Sequence, residues 1–365
     1  MKAGGFITNL STYFPIIRKR EEILSEITNN DHLKSIFSKW KPKQQQEFLD
    51  FCCGNRGVKI LYDSFFKEIL NPEYAPERLE DLLSLLLGKK VRILTVLPND
   101  STRIADESSL LITDIVVELE DGSIANIEIQ KIGYRFPGQR SACYSADLLL
   151  RQYKRIRGAK EKTFNYKDIK SVYIIVFFEN SPKQFQEFSQ EYLHYFQQTS
   201  NTGIELELLQ KYLFVPLDIF KKTIHNKPIK TKIDAWLLFL STEDPEKIFQ
   251  LIQTYPEFKI MYDEIYQLCL NTEKVMDMFS KELLQLDRNT VQYMMDEMQE
   301  EINSLQNSNA ELQNSNAELQ NSNAELQNSN TELQNSNAEL QDTNKKLQEK
   351  LKIMEKQLRE LKGNL

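Results

Sequence analysis

The strongest constraint on the fold is residues 110–131, where apolar and polar residues alternate on both sides of Asp121-Gly122. The apolar positions are Ile115, Val117 and Leu119 before this dipeptide and Ala125, Ile127 and Ile129 after it. A period of two predicts β-strands. Asp-Gly between two such runs is a strong turn signal, so the sequence predicts a β-hairpin.

The register of this hairpin follows from keeping all six apolar side chains on one face. A two-residue turn would mix polar and apolar faces, so we predict a three-residue loop, 121–123, with residue 114 opposite residue 130. Residue 116 then lies opposite 128, and 118 opposite 126. Gly122 or Ser123 would take a positive-φ or bulged conformation. The other face gathers Asp114, Glu128 and Gln130 at one end of the hairpin.

Two adjacent carboxylates with an amide beside them suit a hard divalent cation. Mg²⁺ takes a few carboxylate oxygens plus water, and a metal-bound water can attack a phosphodiester. Asp114 and Glu128 are therefore candidate metal ligands. The alternative is an amphipathic hairpin with a solvated polar face, which the spacing alone favours.

The longer context of these residues resembles a known family. Asp114 followed by Glu128-Ile129-Gln130 resembles the Asp…Glu-x-Lys signature of the PD-(D/E)XK nuclease superfamily, with Gln130 in place of the usual Lys. Three segments are similar to the bacterial recombination-promoting nuclease, or PD-(D/E)XK transposase, family: Leu61-Tyr-Asp-Ser-Phe-Phe-Lys-Glu-Ile, residues 114–131, and Phe136-Pro-Gly-Gln-Arg-Ser-Ala-Cys-Tyr and its continuation to Tyr153. Together the similarity covers roughly residues 50–300. Glutamine is usual at this position in that branch, although an amide lacks the positive charge of Lys.

The resemblance implies an α/β fold, a restriction-endonuclease-like mixed sheet flanked by helices. It also implies a DNA endonuclease that uses Mg²⁺ or Mn²⁺ and acts in recombination or mobile-element biology. Asp114 and Glu128 would hold the metal, and Gln130 would orient the attacking water or a phosphate oxygen by a hydrogen bond. A third acid is expected from the helix before the first strand. Glu80 is our candidate, and the alternatives are Asp81, Glu77 and Glu68.

A basic segment follows the acid pair directly. Residues 131–162 contain nine Lys or Arg and two acids, within a chain of net charge −7. Such a patch suits contacts to a phosphate backbone, which carry no sequence information, so we predict DNA binding of low sequence specificity. The candidate DNA-binding residues are Lys131, Arg140, Tyr144, Arg151, Lys154 and Arg155. The alternative is the solvated exterior of a helix.

Other patterns predict the remaining elements of the sheet and its flanking helices. They are helices over 76–88, 139–157 and 185–197, and strands over 91–97, 171–178 and 211–217. We divide the chain into an N-terminal leader, 1–45, a nuclease-like domain, 46–220, a helical extension, 221–290, and a heptad-repeat coiled coil, 291–365.

The C-terminal part repeats Leu-Gln-Asn-Ser-Asn-Ala-Glu every seven residues from Leu305. Leu takes position d and Asn takes position a of a coiled coil, and Asn at a favours a parallel dimer. Since repeated Asn weakens the seam, the apolar flanks around Ile302 and over 347–365 must anchor a homodimer. The alternative is a slipping low-complexity helix or a disordered tail.

Composition and the remaining motifs narrow the function further. The net charge excludes a basic coat for nucleic acid, so DNA contacts must come from a local patch. The four cysteines lack metal-ligand spacing, which predicts reduced thiols and a cytoplasmic location. No apolar run reaches the roughly 18 residues of a membrane span. His32, His194 and His225 lack ligand spacing, and no Gly-rich phosphate loop suggests a nucleotide cofactor.

A second function stays open at this stage. The missing Lys and the long repeat favour a nuclease fold with weak or no catalysis, acting as a coiled-coil interaction or DNA-binding module.

Overall fold

The computed structural model describes residues 9–98, 114–131, 137–225 and 227–363. Within these residues one sheet of six strands is flanked by α-helices. The strands are β1 Ile93–Val96, β2 Ile115–Leu119, β3 Ile124–Gln130, β4 Val172–Phe178, β5 His194–Phe196 and β6 Gln210–Pro216. The α-helices are α1 Arg20–Asn29, α2 Asp31–Lys39, α3 Pro42–Cys52, α4 Asp63–Ile69, α5 Pro76–Leu87, α6 Pro137–Lys160, α7 Lys183–Gln186, α8 Leu217–Thr223, α9 Lys232–Ser241, α10 Pro245–Thr254, α11 Phe258–Leu268 and α12 Thr272–Gly363.

The sheet is mixed, with the strand order β1-β2-β3-β4-β6-β5. Neighbouring strands are antiparallel except for β3 with β4 and β4 with β6, which are parallel. The predicted α/β fold, a mixed sheet flanked by helices, is confirmed. Because β3 and β4 run in the same direction, their carboxyl ends lie side by side, a common position for sites in α/β sheets.

The predicted hairpin forms, but its pairing is offset by one residue on each strand. Ile115 pairs with Ile127 and Val117 with Ala125, so residue 114 comes opposite residue 128 and the predicted pairing of 114 with 130 is wrong. The loop is 120–122, since the Leu119 N–H donates to the Ser123 carbonyl at 2.8 Å. Within the loop, Asp121 Oδ1 accepts the Ser123 N–H at 2.9 Å. The predicted positive φ falls on Gly122, at 81°. An offset of one residue on both strands keeps every side chain on its predicted face.

The two faces of the hairpin pack into two different cores. The predicted apolar set, Ile115, Val117, Leu119, Ala125, Ile127 and Ile129, joins the large core that also includes leucines of α5. The opposite face places Val116 and Ile124 in a smaller core with Tyr144 and Leu148 of α6. Glu128 and Gln130 point to this second face, since side chains alternate along a strand.

The predicted helices agree with the structure at α5 and α6 but not at residues 185–197. Helix α5 has Pro76 as its first residue and ends at Gly88, whose φ of 62° is left-handed, as the pattern predicts. Helix α6 is longer than the predicted 139–157. The predicted helix over 185–197 is wrong, because only α7 forms there and Tyr195 instead pairs with Leu213 in the sheet. Strand pairing with β6 therefore overrides the local pattern.

Residues expected as a polar leader contribute to the large core. Leu10, Phe14, Ile23, Leu33 and Trp40 are buried in it, together with apolar residues of α8 to α11 and the first turns of α12. The Trp40 ring packs edge-on against Phe279 of α12, with ring centroids 5.0 Å apart. The segments on either side of the sheet region therefore complete one hydrophobic core.

The chain divides into two compact units, Met1–Met294 and Met295–Leu365. The second unit is helical, and its heptad leucines from Leu305 to Leu347 are 54–66% exposed. Throughout the described ranges, the helices are too short or too polar to cross a membrane.

Candidate active site

Asp114 and Glu128 meet at the end of the hairpin. The backbone N–H of Asp114 donates to Glu128 Oε1 at 3.3 Å, and the Ile129 N–H donates to Asp114 Oδ2 at 2.8 Å. Both contacts follow from the observed register, which places residue 114 opposite residue 128. The two carboxylates therefore lie together at the carboxyl end of β3, as the alternation predicts.

Burial dominates the electrostatics of this acid pair. It raises the pKa of Asp114, and the nearby Asp63 carboxylate raises it further, while Lys67 and the Ile129 N–H lower it. Burial likewise raises the pKa of Glu128, and Asp114 adds to the rise, against hydrogen bonding from Asn126 and the charge of Arg140. The Asn126 Nδ2 donates to Glu128 Oε1 at 2.9 Å. Two adjacent carboxylates, one buried and one partly buried, favour a bound proton or cation.

Asp63 and Lys67 of α4 lie beside Asp114, and the sequence patterns do not single them out. Lys67 Nζ lies 2.9 Å from Asp63 Oδ1 and 3.3 Å from Asp114 Oδ1. Burial disfavours the Lys67 cation, but Asp114 and Asp63 outweigh it and raise the Lys67 pKa. Both residues stand in the segment 61–69 that carries the family resemblance, and this segment was the available signal.

Glu80, the predicted third acid, does not contact the acid pair, whereas Asp63 lies beside Asp114. Glu80 Oε1 instead accepts the Ile93 N–H at 2.8 Å and so fixes the start of β1. Of the alternatives, Asp81 accepts Lys232 Nζ and Trp236 Nε1, Glu68 pairs with Lys274, and Glu77 is exposed. Several acids on one helix look equivalent in sequence, and only tertiary packing separates them.

Lys131 is inaccessible to DNA, and the prediction that it binds DNA is wrong. Its side chain is 4% exposed and forms an ion pair with Glu282 of α12, which is 1% exposed. Lys131 follows Gln130 along the strand direction, so it points to the opposite side of the sheet. Basic charge next to a motif therefore does not guarantee a position in the site.

The other candidate DNA-binding residues lie along α6. Tyr144 is buried, and Arg140 Nε donates to its hydroxyl at 2.9 Å. Burial raises the Tyr144 pKa, and the Glu128 charge raises it further. Both residues therefore belong to the surroundings of the acid pair.

Farther along α6, the cations differ in their partners. Arg151 pairs with Asp147 at 2.5 Å, and both guanidinium Nη atoms of Arg155 lie 2.7 Å from Glu118. Lys154 is exposed to solvent. The predicted basic face thus consists of two paired arginines and one solvated lysine.

The donor set fits a hard divalent cation. Gln130 Oε1 and Asn126 Oδ1 are buried and accept no hydrogen bond. Together with Asp114 and Glu128 they offer oxygen ligands, which Mg²⁺ or Mn²⁺ prefers over sulfur or nitrogen. Across the described ranges, His, Cys, Asp and Glu do not form a ready-made group of three ligands. Water would complete the coordination, as is usual for Mg²⁺.

A mixed sheet with an acid pair at the end of its hairpin, facing a basic helix, defines a nuclease-type α/β protein. Residues 60–296 match the family described as PD-(D/E)XK nuclease family transposase, and the chain belongs to this family. Its function is thus of the nuclease or transposase kind, with DNA as the substrate that the family implies. Neither a curated protein nor a solved structure matches the chain.

Proposed function

We propose that this chain is a divalent-metal-dependent DNA endonuclease of low sequence specificity, acting in recombination or transposition. The observation that supports it most is the pairing of the partly buried Asp114 with the buried Glu128, whose pKa values are both raised. Such an arrangement is costly for a purely structural role and is typical of a functional site.

Each residue of the site has a role in the proposed reaction. Asp114 and Glu128 would hold Mg²⁺ or Mn²⁺, which when bound lowers the pKa of water and stabilises charge on a phosphate. Gln130 Oε1, buried and without a hydrogen-bond donor, would orient the attacking water by accepting a hydrogen bond from it. Asp63 would support the site through Lys67 and Asp114.

Lys67 would supply the positive charge that Gln130 lacks. Its Nζ lies 3.3 Å from Asp114 Oδ1, at the end of the hairpin where Gln130 stands. An ammonium is a compact point charge that binds phosphate oxygens well. Helix α4 would therefore replace a function that the third strand performs elsewhere in the superfamily.

Contacts to the DNA backbone would come from α6. Arg140 and Tyr144 stand beside the acids, and Lys154 is free to reach a phosphate from the same helix. Arg151 and Arg155 would have to leave Asp147 and Glu118, so their contribution would be smaller. Low sequence specificity follows, because phosphate contacts carry no base information.

Plasmid nicking by the purified full-length chain tests the proposal. Cleavage should require Mg²⁺ or Mn²⁺ and stop in EDTA. Asp114→Asn and Glu128→Gln should each lower the rate at least about 100-fold, since several kcal/mol of stabilisation by the cation is lost. Glu120→Gln is the matched control, because it removes an exposed charge from the same hairpin. Equal cleavage in EDTA would contradict the mechanism.

The second candidate is an interaction or DNA-binding module without catalysis. The exposed heptad leucines favour it, because such a helix face is built to meet another helix. If this candidate is right, the purified protein would bind DNA but would not nick plasmid with any added divalent metal ion. A parallel homodimer through residues 291–365 is part of both candidates. The cysteines of the chain are free, which supports a cytoplasmic location for either.

A further inference from the structure

Three aromatic residues form a cluster at the end of α6, here called the aromatic platform (Tyr153, Phe164 and Tyr166), in which Tyr166 is exposed and the other two are partly buried. The Tyr153 and Tyr166 rings are stacked, 6.2 Å apart at 13°, and Phe164 packs edge-on against both at 5.6 and 5.3 Å. The three rings lie outside both hydrophobic cores. Packing of the rings against each other accounts for the partial burial of Phe164 and Tyr153, but Tyr166 is still 73% exposed.

The surroundings of the aromatic platform are basic. Residues 153–170 contain seven Lys or Arg and two acids, in a chain of net charge −7. One of the two acids, Asp168, is paired with Lys160 at 2.7 Å. Lys154, Lys162 and Lys167 are exposed and make no ion pair with the described acids. Arg157 lies over the Tyr153 ring, with its Cζ 5.5 Å from the centroid.

The aromatic platform stands at a defined distance from the acid pair. Tyr153 follows Tyr144 by nine residues on α6, which is about 13 Å along the axis and on the opposite side of a helix roughly 10 Å thick. The straight line of roughly 17 Å between them passes through the helix, so a strand on the surface follows a longer path, of about five or more nucleotides at 3.4 Å per step. A strand bound at the acids would therefore reach the platform about five or more nucleotides from the cleaved bond.

We infer that the aromatic platform binds unpaired bases, and that the substrate class is DNA with a single-stranded segment next to the cleavage point, such as a flap, bubble or overhang. Exposed rings among cations are how proteins hold single strands, since every base has a face to stack and phosphates need only charge. Duplex bases are already stacked on each other and cannot cover Tyr166. The location of the cut rests on the proposed function, whereas the binding itself does not.

Binding can be measured without cleavage. The full-length chain in EDTA is titrated into a fluorescein-labelled 20-nucleotide oligo(dT), and in parallel into a labelled duplex of equal length. Tyr166→Ala should weaken binding of the single strand roughly 5- to 150-fold, the range of stacking on one base. Duplex binding should stay unchanged. Tyr166→Phe, which keeps the ring, should bind as the wild type does, and so should Tyr74→Ala, which removes a tyrosine that is 76% exposed elsewhere.

A fluorescent variant gives an independent measurement. Trp40 and Trp236 are both buried, so Tyr166→Trp would introduce an exposed indole. Oligo(dT) should quench its fluorescence, and duplex should not. If Tyr166→Ala binds the single strand like wild type, or weakens both DNAs equally, the inference is wrong. Preferential binding of RNA over DNA would also overturn it.

The outcomes separate this inference from the proposed function. Loss of nicking in Asp114→Asn with retained binding of oligo(dT) supports both. If the wild-type protein does not cleave DNA but still needs Tyr166 to bind single strands, the inference about the aromatic platform is supported and the proposed nuclease function is wrong. If both the wild type and Tyr166→Ala cut flap and duplex substrates at equal rates, the proposed nuclease function is supported and the inference about the aromatic platform is wrong.

Discussion

Glu282 of α12 holds Lys131, the residue directly after β3, in a buried ion pair. The same carboxylate accepts the backbone N–H of Asp63 through Oε2 at 3.0 Å. One side chain therefore connects the end of the strand that carries Glu128 and Gln130 with the start of the helix that carries Asp63 and Lys67. Tyr62 supports the arrangement, since its ring centroid lies 5.7 Å from Lys131 Nζ.

Removing one partner of this ion pair should destabilise the protein strongly. Lys131→Met leaves the Glu282 carboxylate buried and unpaired, which should lower the free energy of unfolding by about 3–5 kcal/mol. The matched control is Lys259→Met, which breaks a surface pair with Asp263 and should cost less than about 1 kcal/mol. Urea unfolding of the two variants measures the difference. Equal midpoints would mean that the buried pair contributes no more than a surface one.

The faces of the hairpin are predictable because side chains alternate along a strand, and this rule holds whatever the loop length, provided that it is odd. The exact pairing is not predictable in this way, since loops 120–122 and 121–123 give the same faces and differ only in which residues of the turn form hydrogen bonds. The edge strand β5 is not predictable from its own residues, because it forms by pairing with β6, a separate segment of the chain.

The acid pair is predictable because Asp114 and Glu128 share one local element. Asp63 and Lys67 are not, since their approach depends on how α4 packs against the hairpin, which local patterns do not encode. The prediction for Lys131 is wrong because proximity in the sequence does not guarantee proximity in space. Alternation along the strand, applied one residue further, would have placed it on the other side of the sheet.

Lys67 and Gln130 should show reciprocal effects on cleavage. Lys67→Met should lower the rate of Mg²⁺-dependent nicking roughly 100- to 1,000-fold, the usual effect of losing one preorganised charge. Gln130→Lys should retain or raise activity in the wild type, and it should restore part of the activity in Lys67→Met. Mg²⁺ affinity, followed by the shift in melting temperature, reports whether the site itself is intact. If Gln130→Lys gives no rescue while Mg²⁺ still binds, Lys67 does not replace the superfamily Lys.

Glu128 should make the metal-free protein less stable at high pH. A carboxyl with a raised folded pKa holds its proton more tightly when folded. The stabilisation of the folded state by this proton is complete below the pKa of the unfolded chain, about 4.3. It is lost as the pH rises through the pKa of the folded protein. Glu128→Gln should therefore be more stable than wild type at pH 8, by about 1.4 kcal/mol per unit of pKa rise, and no more stable at pH 4.

Chemical unfolding in EDTA across this pH range measures the difference between the two proteins. Glu120→Gln, in the same hairpin but exposed, should follow the wild type at every pH. Adding Mg²⁺ at pH 8 should stabilise the wild type by mass action and leave Glu128→Gln nearly unaffected. A Glu128→Gln curve parallel to that of the wild type would show that Glu128 is ionised in the folded protein without a cation.

The heptad repeat should determine whether one strand or two are cut. A single acid pair cleaves one strand, so a double-strand break needs two copies of the site. Leucines at d, 54–66% exposed in the single chain, offer a face for a second helix, and Asn at a favours two parallel strands. Deleting residues from 303 onward should convert a dimer into a monomer and shift plasmid products from linear to nicked, with the chemistry of Asp114 and Glu128 retained. Light scattering and product ratios at equal protein concentration measure both effects. A full-length chain that is monomeric at micromolar concentration, or a truncated one that still linearises plasmid, would contradict this role of the repeat.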